Sequence, residues 1–269
     1  MGEFVRANGL DVWVEHRGEG PDVLLVGGLG DTVETWQLQL EGLADRHHLI
    51  AFDNRGTGRT AMPADPLSVA ALADDAAGVL RALGVSSAHV AGFSGGSVIC
   101  QELALRHPRL VRSLVLQSTW TAQDAYLRSW GRFMSGFAGT APSERAFLEG
   151  FFLWIYTVRA HQDGTVDRII GEVLAAPHQQ ALEDLQAYID VLSRHDTTAR
   201  LAGLAVPTLV LASGQDTLSR PAMGRAAADS IPGARFEVME NEAHQPFQEV
   251  PDQWNARVAA FWHEVGARG

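Results

Sequence analysis

The chain of 269 residues contains no lysine, since all 21 of its basic residues are arginine. This absence excludes Schiff-base catalysis, a pyridoxal phosphate linkage and the phosphate-binding loop that requires a Gly-Lys pair. Cys100 is the single cysteine, which excludes an internal disulfide and a metal site built from several cysteines. The formal net charge of −11 argues against nucleic acid and anionic membrane surfaces as partners.

Long hydrophobic runs are also missing from the sequence. No stretch approaches the roughly 18 apolar residues of a membrane span, and the first 20 residues lack the apolar core of a signal peptide. We therefore expect a cytoplasmic protein without a membrane partner, and the sequence leaves its oligomeric state open. Hydrophobic residues make up 46% of the chain, enough for a substantial core.

Short apolar runs alternate with helical patterns along most of the chain. A hairpin is predicted over 3–7 and 11–17 around Asn8-Gly9, a dipeptide typical of tight turns. The helix over 67–83 would take Asp65 and Pro66 as its cap and first turn. The alternation predicts a mostly parallel sheet with helices on both faces. The further strands are predicted over 23–26, 48–52, 89–93, 114–117, 208–212 and 236–239, and the further helices over 97–106, 221–230 and 252–265.

Residues 121–195 break this alternation. They contain no clear buried strand and predict several helices, one of which begins near Ser143. Ten of the 21 aromatic residues fall in this segment. These rings either pack the segment onto the sheet or face a substrate cavity. We expect a helical cap over 121–195, inserted into a core formed by 1–120 and 196–269.

The segment Gly92-Phe93-Ser94-Gly95-Gly96 lies between a predicted strand and a predicted helix. A sharp strand-to-helix turn exposes a serine hydroxyl above the sheet, and glycines on both sides allow the two backbones to approach closely. The helix N-terminus also supplies N–H donors for a developing oxyanion. Ser94 is therefore a candidate nucleophile; the alternative is a serine that only caps the helix.

A serine nucleophile needs a base and a carboxylate that orients the base. Asp216 follows the strand predicted over 208–212, and His244 lies in the loop after the last predicted strand. Both loops would lie at the carboxyl edge of the sheet, where ligands of open α/β sheets bind. The other nine histidines flank helices or strands or lie within them, and none shows zinc-site spacing, so we expect no metal.

Five ordered motifs make the sequence resemble the α/β-hydrolase superfamily, close to its compact esterase, lactonase and perhydrolase-like members. The resemblance covers nearly the whole chain. It implies Ser94 as nucleophile, His244 as base, Asp216 as orienting acid, and the backbone N–H groups of Leu29 and Gly95 as oxyanion hole, with no cofactor. The motifs are Gly27-Gly28-Leu29-Gly30, Asp53-Asn54-Arg55-Gly56-Thr57-Gly58, the segment around Ser94, Gly214-Gln215-Asp216, and Ala243-His244-Gln245-Pro246 with Glu249.

The sequence departs from the family pattern at three points. Gly27 occupies the position of the family's usual histidine, and Ala243 that of a common glycine. Some relatives place the acid after the sixth core strand, where the first carboxylate here is Asp124. We prefer Asp216 as the acid.

A dinucleotide site is the competing interpretation of the first glycine motif. Gly28 and Gly30 follow a strand, and Asp53 lies 25 residues after Gly28, as a ribose-binding acid would. Val33, however, replaces the third glycine. We expect Asp53 to be a structural carboxylate that pairs with Arg55 or with loop N–H groups.

The resemblance implies hydrolysis of a small or medium, largely apolar carboxylic ester or lactone through an acyl-enzyme. The same three residues could instead support acyl transfer, perhydrolysis or C–C bond hydrolysis. A receptor-like protein that binds its ligand and turns it over slowly is a further alternative, since one fold hosts many functions.

Overall fold

The computed structural model describes residues 2–176, 178 and 180–267. Residues 1, 268 and 269 of the predicted core and residues 177 and 179 of the predicted cap lie outside this part. Within it, eight strands form one sheet in the order β1-β2-β4-β3-β5-β6-β7-β8. The strands are β1 (Gly2–Ala7), β2 (Leu10–Arg17), β3 (Asp22–Val26), β4 (His48–Phe52), β5 (Ala88–Phe93), β6 (Val111–Gln117), β7 (Thr208–Ser213) and β8 (Arg235–Met239).

β1 runs antiparallel to β2, and β2 runs antiparallel to β4. The six strands β3 to β8 are parallel to one another. The predicted mostly parallel sheet flanked by helices is thereby confirmed. The helices are α1 (Gln37–Gly42), α2 (Val69–Ala82), α3 (Gly95–Arg106), α4 (Ala125–Thr140), α5 (Glu144–Phe152), α6 (Val158–Gln162), α7 (Thr165–Ala175), α8 (Leu182–Arg194), α9 (Pro221–Ser230), α10 (Pro246–Glu249) and α11 (Pro251–Gly266).

Each face of the sheet has its own hydrophobic core. Leu24 and Val26 of β3 point to the face covered by α2, α3 and α9, whereas Val23 and Leu25 point to the face covered by α1 and α11. This alternation follows from the two-residue period of a strand. A strand that is apolar on both faces must be covered on both, which explains the continuous apolar run in the sequence.

The predicted start of α2 is wrong. The helix begins at Val69, and the side chain of Ser68, not of Asp65, caps it by accepting the N–H of Ala71 at 3.0 Å. Ser68 has extended backbone dihedrals, so Pro66 lies outside the helix. α3 also begins two residues earlier than predicted, because the turn at Ser94 leads directly into the helix.

Helices α4 to α8 lie between β6 and β7, and we call residues 121–195 the helical insert. An isolated bridge between Ala122 and Asp196, together with a bond from the Thr197 N–H to the Thr121 carbonyl (2.9 Å), closes the base of the insert. The predicted helix near Ser143 is confirmed, since Ser143 caps α5. No helix within the described residues is long and apolar enough to cross a bilayer.

Candidate active site

Ser94 lies at the turn between β5 and α3 with φ 53° and ψ −121°. A positive φ strains any residue that has a side chain, and such strain is frequent at functional sites. The glycines around Ser94 are sterically required: a Cβ on Gly92 would lie 2.5 Å from the Cys100 sulfur, and one on Gly96 would lie 2.2 Å from the Val26 carbonyl. The close contact between strand and helix therefore fixes the serine above the carboxyl edge of the sheet.

The three side chains predicted as a triad are in contact. The Ser94 hydroxyl lies 3.0 Å from Nε2 of His244, and Nδ1 of the same ring lies 2.7 Å from Oδ2 of Asp216. The other Asp216 oxygen accepts the backbone N–H groups of Leu218 and Ser219 at 2.8 and 2.9 Å. This carboxylate is thus held by its own loop and orients the His244 ring with its Nε2 toward Ser94.

The loop that carries His244 is attached to the end of β6. The hydroxyl of Ser118 donates to the His244 carbonyl at 2.8 Å, and the ring of His244 packs against Phe93 with centroids 4.9 Å apart. Ser118 itself has a positive φ of 53°. This positioning serine could not be predicted from the sequence, since a serine after a strand carries no distinctive signal.

Asp124, the alternative acid, lies elsewhere. It caps α4 by accepting the N–H of Leu127 at 2.9 Å and forms an ion pair with Arg220. Hydrogen bonding and this ion pair hold the pKa of Asp124 below its ordinary value, against the opposing effect of burial. Asp216 is therefore the carboxylate that contacts the histidine.

The residues predicted to supply the oxyanion donors lie at the cavity that contains Ser94. Leu29 and Gly95 both line the cavity above the serine, together with His244. A Cβ on Gly95 would lie 3.8 Å from the Cα of Gly28, so the two loops are neighbours. Within the described residues, the N–H groups of Leu29 and Gly95 have no backbone acceptor. Their role as oxyanion donors stays a prediction.

Asp31 explains why glycine occupies position 27. A Cβ on Gly27 would lie 2.6 Å from the Cβ of Asp31, so the aspartate side chain fills the space of a side chain at 27. Oδ2 of Asp31 accepts the N–H of Gly28 at 2.6 Å, and Oδ1 accepts the hydroxyl of Thr35 at 3.2 Å. Burial raises the pKa of Asp31 to about 6, whereas the two hydrogen bonds and His244 act to lower it.

The loop after β4 supports the loop after β3. Asp53 is fully buried and accepts the N–H groups of Val33 and Arg59, both at 2.8 Å. The prediction that Asp53 is a structural carboxylate is confirmed, and of its two expected partners the loop N–H groups are the ones observed. Arg55 instead pairs with buried Asp75 at 2.5 and 2.8 Å. Because Asp53 is fully buried, it is not available to a ribose.

A cavity of about 770 Å³ lies above Ser94, between the sheet and the helical insert. Its apolar wall comes mainly from the insert, including Trp130, Phe147 and Phe151. Tyr188 of the insert instead packs against the core: it is buried and donates its hydroxyl to the Arg55 carbonyl at 2.7 Å. Some aromatic rings of the insert thus line the cavity, and others pack against the core.

The insert contacts the loop that carries His244 and the helix that follows it. Arg159 of α6 forms ion pairs with Glu242 at 2.7 Å and with Glu249 at 3.4 Å. Glu249 also accepts the N–H of Thr157 at 3.1 Å and its hydroxyl. These contacts connect the insert to the histidine loop. No group of three or more His, Cys, Asp or Glu side chains among the described residues could hold a metal ion.

Comparisons with known proteins agree with this fold. The model of the alpha/beta hydrolase fold family matches residues 21–250. The chain is 31% identical to the "Putative carbamate hydrolase RutD" of Azorhizobium caulinodans, covering 97% of this chain and 98% of that protein. A hydrolase from Pseudomonas aeruginosa PA01 has a TM-score of 0.86 at 26% identity, covering 97% and 98% of the two chains. The enol-lactonase of Burkholderia xenovorans LB400 has a TM-score of 0.87 at 23% identity, covering 97% and 99%, a likeness of fold. The chain belongs to the alpha/beta hydrolase fold family.

Proposed function

We propose that the protein is a serine hydrolase that cleaves a small or medium, largely apolar carboxylic ester or lactone through an acyl-enzyme. One observation carries this proposal: the continuous hydrogen-bonded series from Ser94 through His244 to Asp216. Such a series lets an imidazole remove the serine proton while a carboxylate stabilises the imidazolium. The proposal needs no cofactor, and a cytoplasmic location remains a prediction from the sequence.

Acylation would begin when the Ser94 oxygen attacks the carbonyl carbon of the substrate. Nε2 of His244 takes the hydroxyl proton during the attack, and Asp216 stabilises the imidazolium that forms. The carbonyl oxygen becomes an oxyanion that accepts the N–H groups of Leu29 and Gly95. As the tetrahedral intermediate collapses, His244 returns the proton to the leaving alkoxide, and the acyl group stays on Ser94.

Deacylation would repeat these steps with water as nucleophile. His244 removes a proton from a water molecule that attacks the acyl carbon, and the same two N–H groups stabilise the second oxyanion. His244 then protonates the Ser94 oxygen as the carboxylic acid leaves. His244 is thus a base and then an acid in both acylation and deacylation. Its Nε2 can serve both roles because it lies within hydrogen-bond distance of the Ser94 oxygen.

The shape and lining of the cavity support an apolar substrate. Its volume of about 770 Å³ lies within the usual range of small-molecule sites. The aromatic wall from Trp130, Phe147 and Phe151 would contact the acyl or ring portion of the substrate. In this proposal the helical insert, residues 121–195, is a cap over the site.

Labelling with a fluorophosphonate, followed by an ester and lactone panel, tests the proposal. Ser94→Ala should abolish the covalent adduct in intact-mass spectra and lower kcat by several orders of magnitude. Ser219→Ala is the matched control, because Ser219 also lines the cavity but its hydroxyl is not in the hydrogen-bonded series. Retained hydrolysis in Ser94→Ala would refute the assignment of the nucleophile.

Carbamate hydrolysis is the second candidate function. The observation in its favour is the 31% identity over 97% of the chain to a protein named for that activity. The same nucleophile could attack a carbamate carbonyl, which would release ammonia or an amine. Carbamates therefore belong in the substrate panel, and turnover of carbamates at rates above those of esters would favour this candidate.

Acyl transfer, perhydrolysis and C–C bond hydrolysis would use the same three side chains. Adding an alcohol, hydrogen peroxide or a β-diketone to the assay distinguishes these reactions by their products. A receptor-like protein would form one acyl adduct and release it slowly, so a burst of one equivalent without further turnover would indicate that function.

A further inference from the structure

The carboxylate of Asp31 lies beside the nucleophile but has no part in the mechanism above. Oδ2 of Asp31 and Cβ of Ser94 lie 3.3 and 3.2 Å from one common point, the position that a Cβ on Gly28 would occupy. Asp31 also lines the cavity, together with Leu29 and His244. The carboxylate is therefore within the reach of an acyl group bound to Ser94.

This carboxylate has acceptor capacity left for a ligand. Its two oxygens offer about four lone-pair sites, of which the Gly28 N–H and the Thr35 hydroxyl use two. Neither of these partners is a cation. Burial raises the pKa of the carboxyl to about 6, so above that pH it is an ionised acceptor that faces the cavity.

Neighbouring polar groups hold Asp31 in this position. Gln248 donates to the Thr35 carbonyl at 3.2 Å, and the Tyr156 hydroxyl donates to the Gln248 side-chain oxygen at 2.5 Å. Thr35 in turn donates to Asp31. All four residues line the cavity, so they form a polar part of its wall. An extended apolar acyl chain would leave the acceptor on this wall without a partner.

We propose that Asp31 is a specificity-determining residue that accepts a hydrogen bond from an N–H group in the acyl part of the substrate. The favoured substrates would be esters or lactones that carry an amide nitrogen one to three bonds from the scissile carbonyl carbon. This inference rests on the proposed function, since it takes the acyl group to be bound to Ser94. A substrate carboxylate at the same place would be repelled by the ionised Asp31.

Two p-nitrophenyl esters that differ in one group test the proposal. The N-acetylglycine ester has an N–H where the 4-oxopentanoate ester has a CH₂, and the leaving group is the same. Hydrogen bonds to charged acceptors are worth roughly tenfold or more in affinity. We expect Asp31→Asn to lower the ratio of kcat/KM for the amide ester to that for the ketone ester by about tenfold. The intrinsic reactivities of the esters cancel in this comparison of ratios.

Glu34→Gln is the matched control, because it removes one negative charge from the same loop. Glu34 already has a cationic partner in Arg59 at 2.6 Å, so the ratio should stay unchanged in this variant. An unchanged ratio in Asp31→Asn would overturn the proposal. An equal gain with both esters would also overturn it, since Asp31 would then act on the oxyanion and not on the acyl group.

A third ester keeps the proposal testable even if Asp31→Asn does not fold. The N-acetylsarcosine ester carries an N-methyl group in place of the N–H, so the wild-type protein should hydrolyse it about tenfold more slowly than the N-acetylglycine ester. Equal rates would overturn the role of Asp31. If hydrolysis depends on Ser94 but shows no N–H preference, the proposed function stands and only this inference fails; hydrolysis that persists in Ser94→Ala refutes the proposed function itself.

Discussion

Replacing Asp31 with asparagine should change how the stability of the protein depends on pH. The pKa of this carboxyl is about 6 in the folded protein, above its ordinary value of 3.8, because burial disfavours the ionised form. Below pH 4 both folded and unfolded chains keep the proton. Between pH 4 and 6 the unfolded chain loses it first, so rising pH favours unfolding. Above pH 6 the full cost of the buried charge is present.

The size of this effect follows from the difference between the two pKa values. Each unit corresponds to about 1.4 kcal/mol, so a difference of about two units gives at most about 3 kcal/mol. Asp31 is partly exposed to the cavity, and water there reduces the cost. We expect about 1–3 kcal/mol. Asparagine can still accept the Gly28 N–H but does not ionise, so the variant should gain this amount over wild type between pH 4 and pH 7.

Urea denaturation of both proteins at pH 4, 5, 6, 7 and 8 measures this difference. The difference in free energy of unfolding should rise with pH and level off above pH 6, with unchanged m-values. His244 and Tyr156 also face Asp31, but they are present in both proteins. Glu34→Gln is a control in which stability should change with pH in the opposite direction. Burial raises the pKa of Glu34, but hydrogen bonds from Arg59 and Thr32 lower it more, so the pKa lies below its ordinary value. A pH-independent difference for Asp31→Asn would refute the reasoning.

Three further predictions concern the acid, a buried ion pair and the cavity wall. Asp216→Asn should lower kcat by about 10⁴-fold through the wrong histidine tautomer, while Asp124→Asn should stay near wild type in the same esterase assay. Asp75→Ala should lower the free energy of unfolding in urea by about 3–5 kcal/mol, because it leaves a buried guanidinium unpaired. Phe151→Ala should flatten the increase of kcat/KM with acyl chain length, which is about fourfold per methylene if each gains about 0.8 kcal/mol. Phe133→Ala is its control, since that ring is 57% exposed.

Each of these predictions has an outcome that would contradict it. A large loss of kcat in Asp124→Asn together with a small loss in Asp216→Asn would show that the catalytic acid follows β6 and not β7. A loss below about 1 kcal/mol in Asp75→Ala would mean that water reaches the guanidinium. An unchanged chain-length profile in Phe151→Ala, with lower stability, would show that this ring only packs the insert.

Much of the fold could be predicted from the sequence because its signals are local. The apolar runs at 23–26 and 48–52 predict strands of a sheet that is covered on both faces, because both sides of each strand must be buried. The turn at Ser94 was predictable because only glycine fits where strand and helix touch. The start of α2 was not, since Asp65-Pro66 and Ser68 are both good start signals and only the extended backbone at Ser68 decides between them.

Contacts between distant segments escaped the sequence analysis. Arg55 was one of two partners considered for Asp53, its close neighbour in the chain, yet it pairs with Asp75 from α2. The roles of the aromatic rings depend on which side of each helix faces the sheet, so the alternatives stayed open. For Asp31 one signal was present: glycine at 27, followed four residues later by an acid. Without the fold, nothing indicated that the second side chain fills the space of the first.

The position of Asp31 is hard to explain by folding alone. Its hydrogen bonds from Gly28 and Thr35 do not offset the cost of burial, as the raised pKa shows. Asparagine would accept the Gly28 N–H at this position and would have no charge to bury. Residues that reduce stability in this way are typical of sites where the ligand supplies the missing partner. A hydrogen-bond donor in the substrate would supply that partner, and this gives a physical reason for a carboxylate within reach of an acyl group on Ser94.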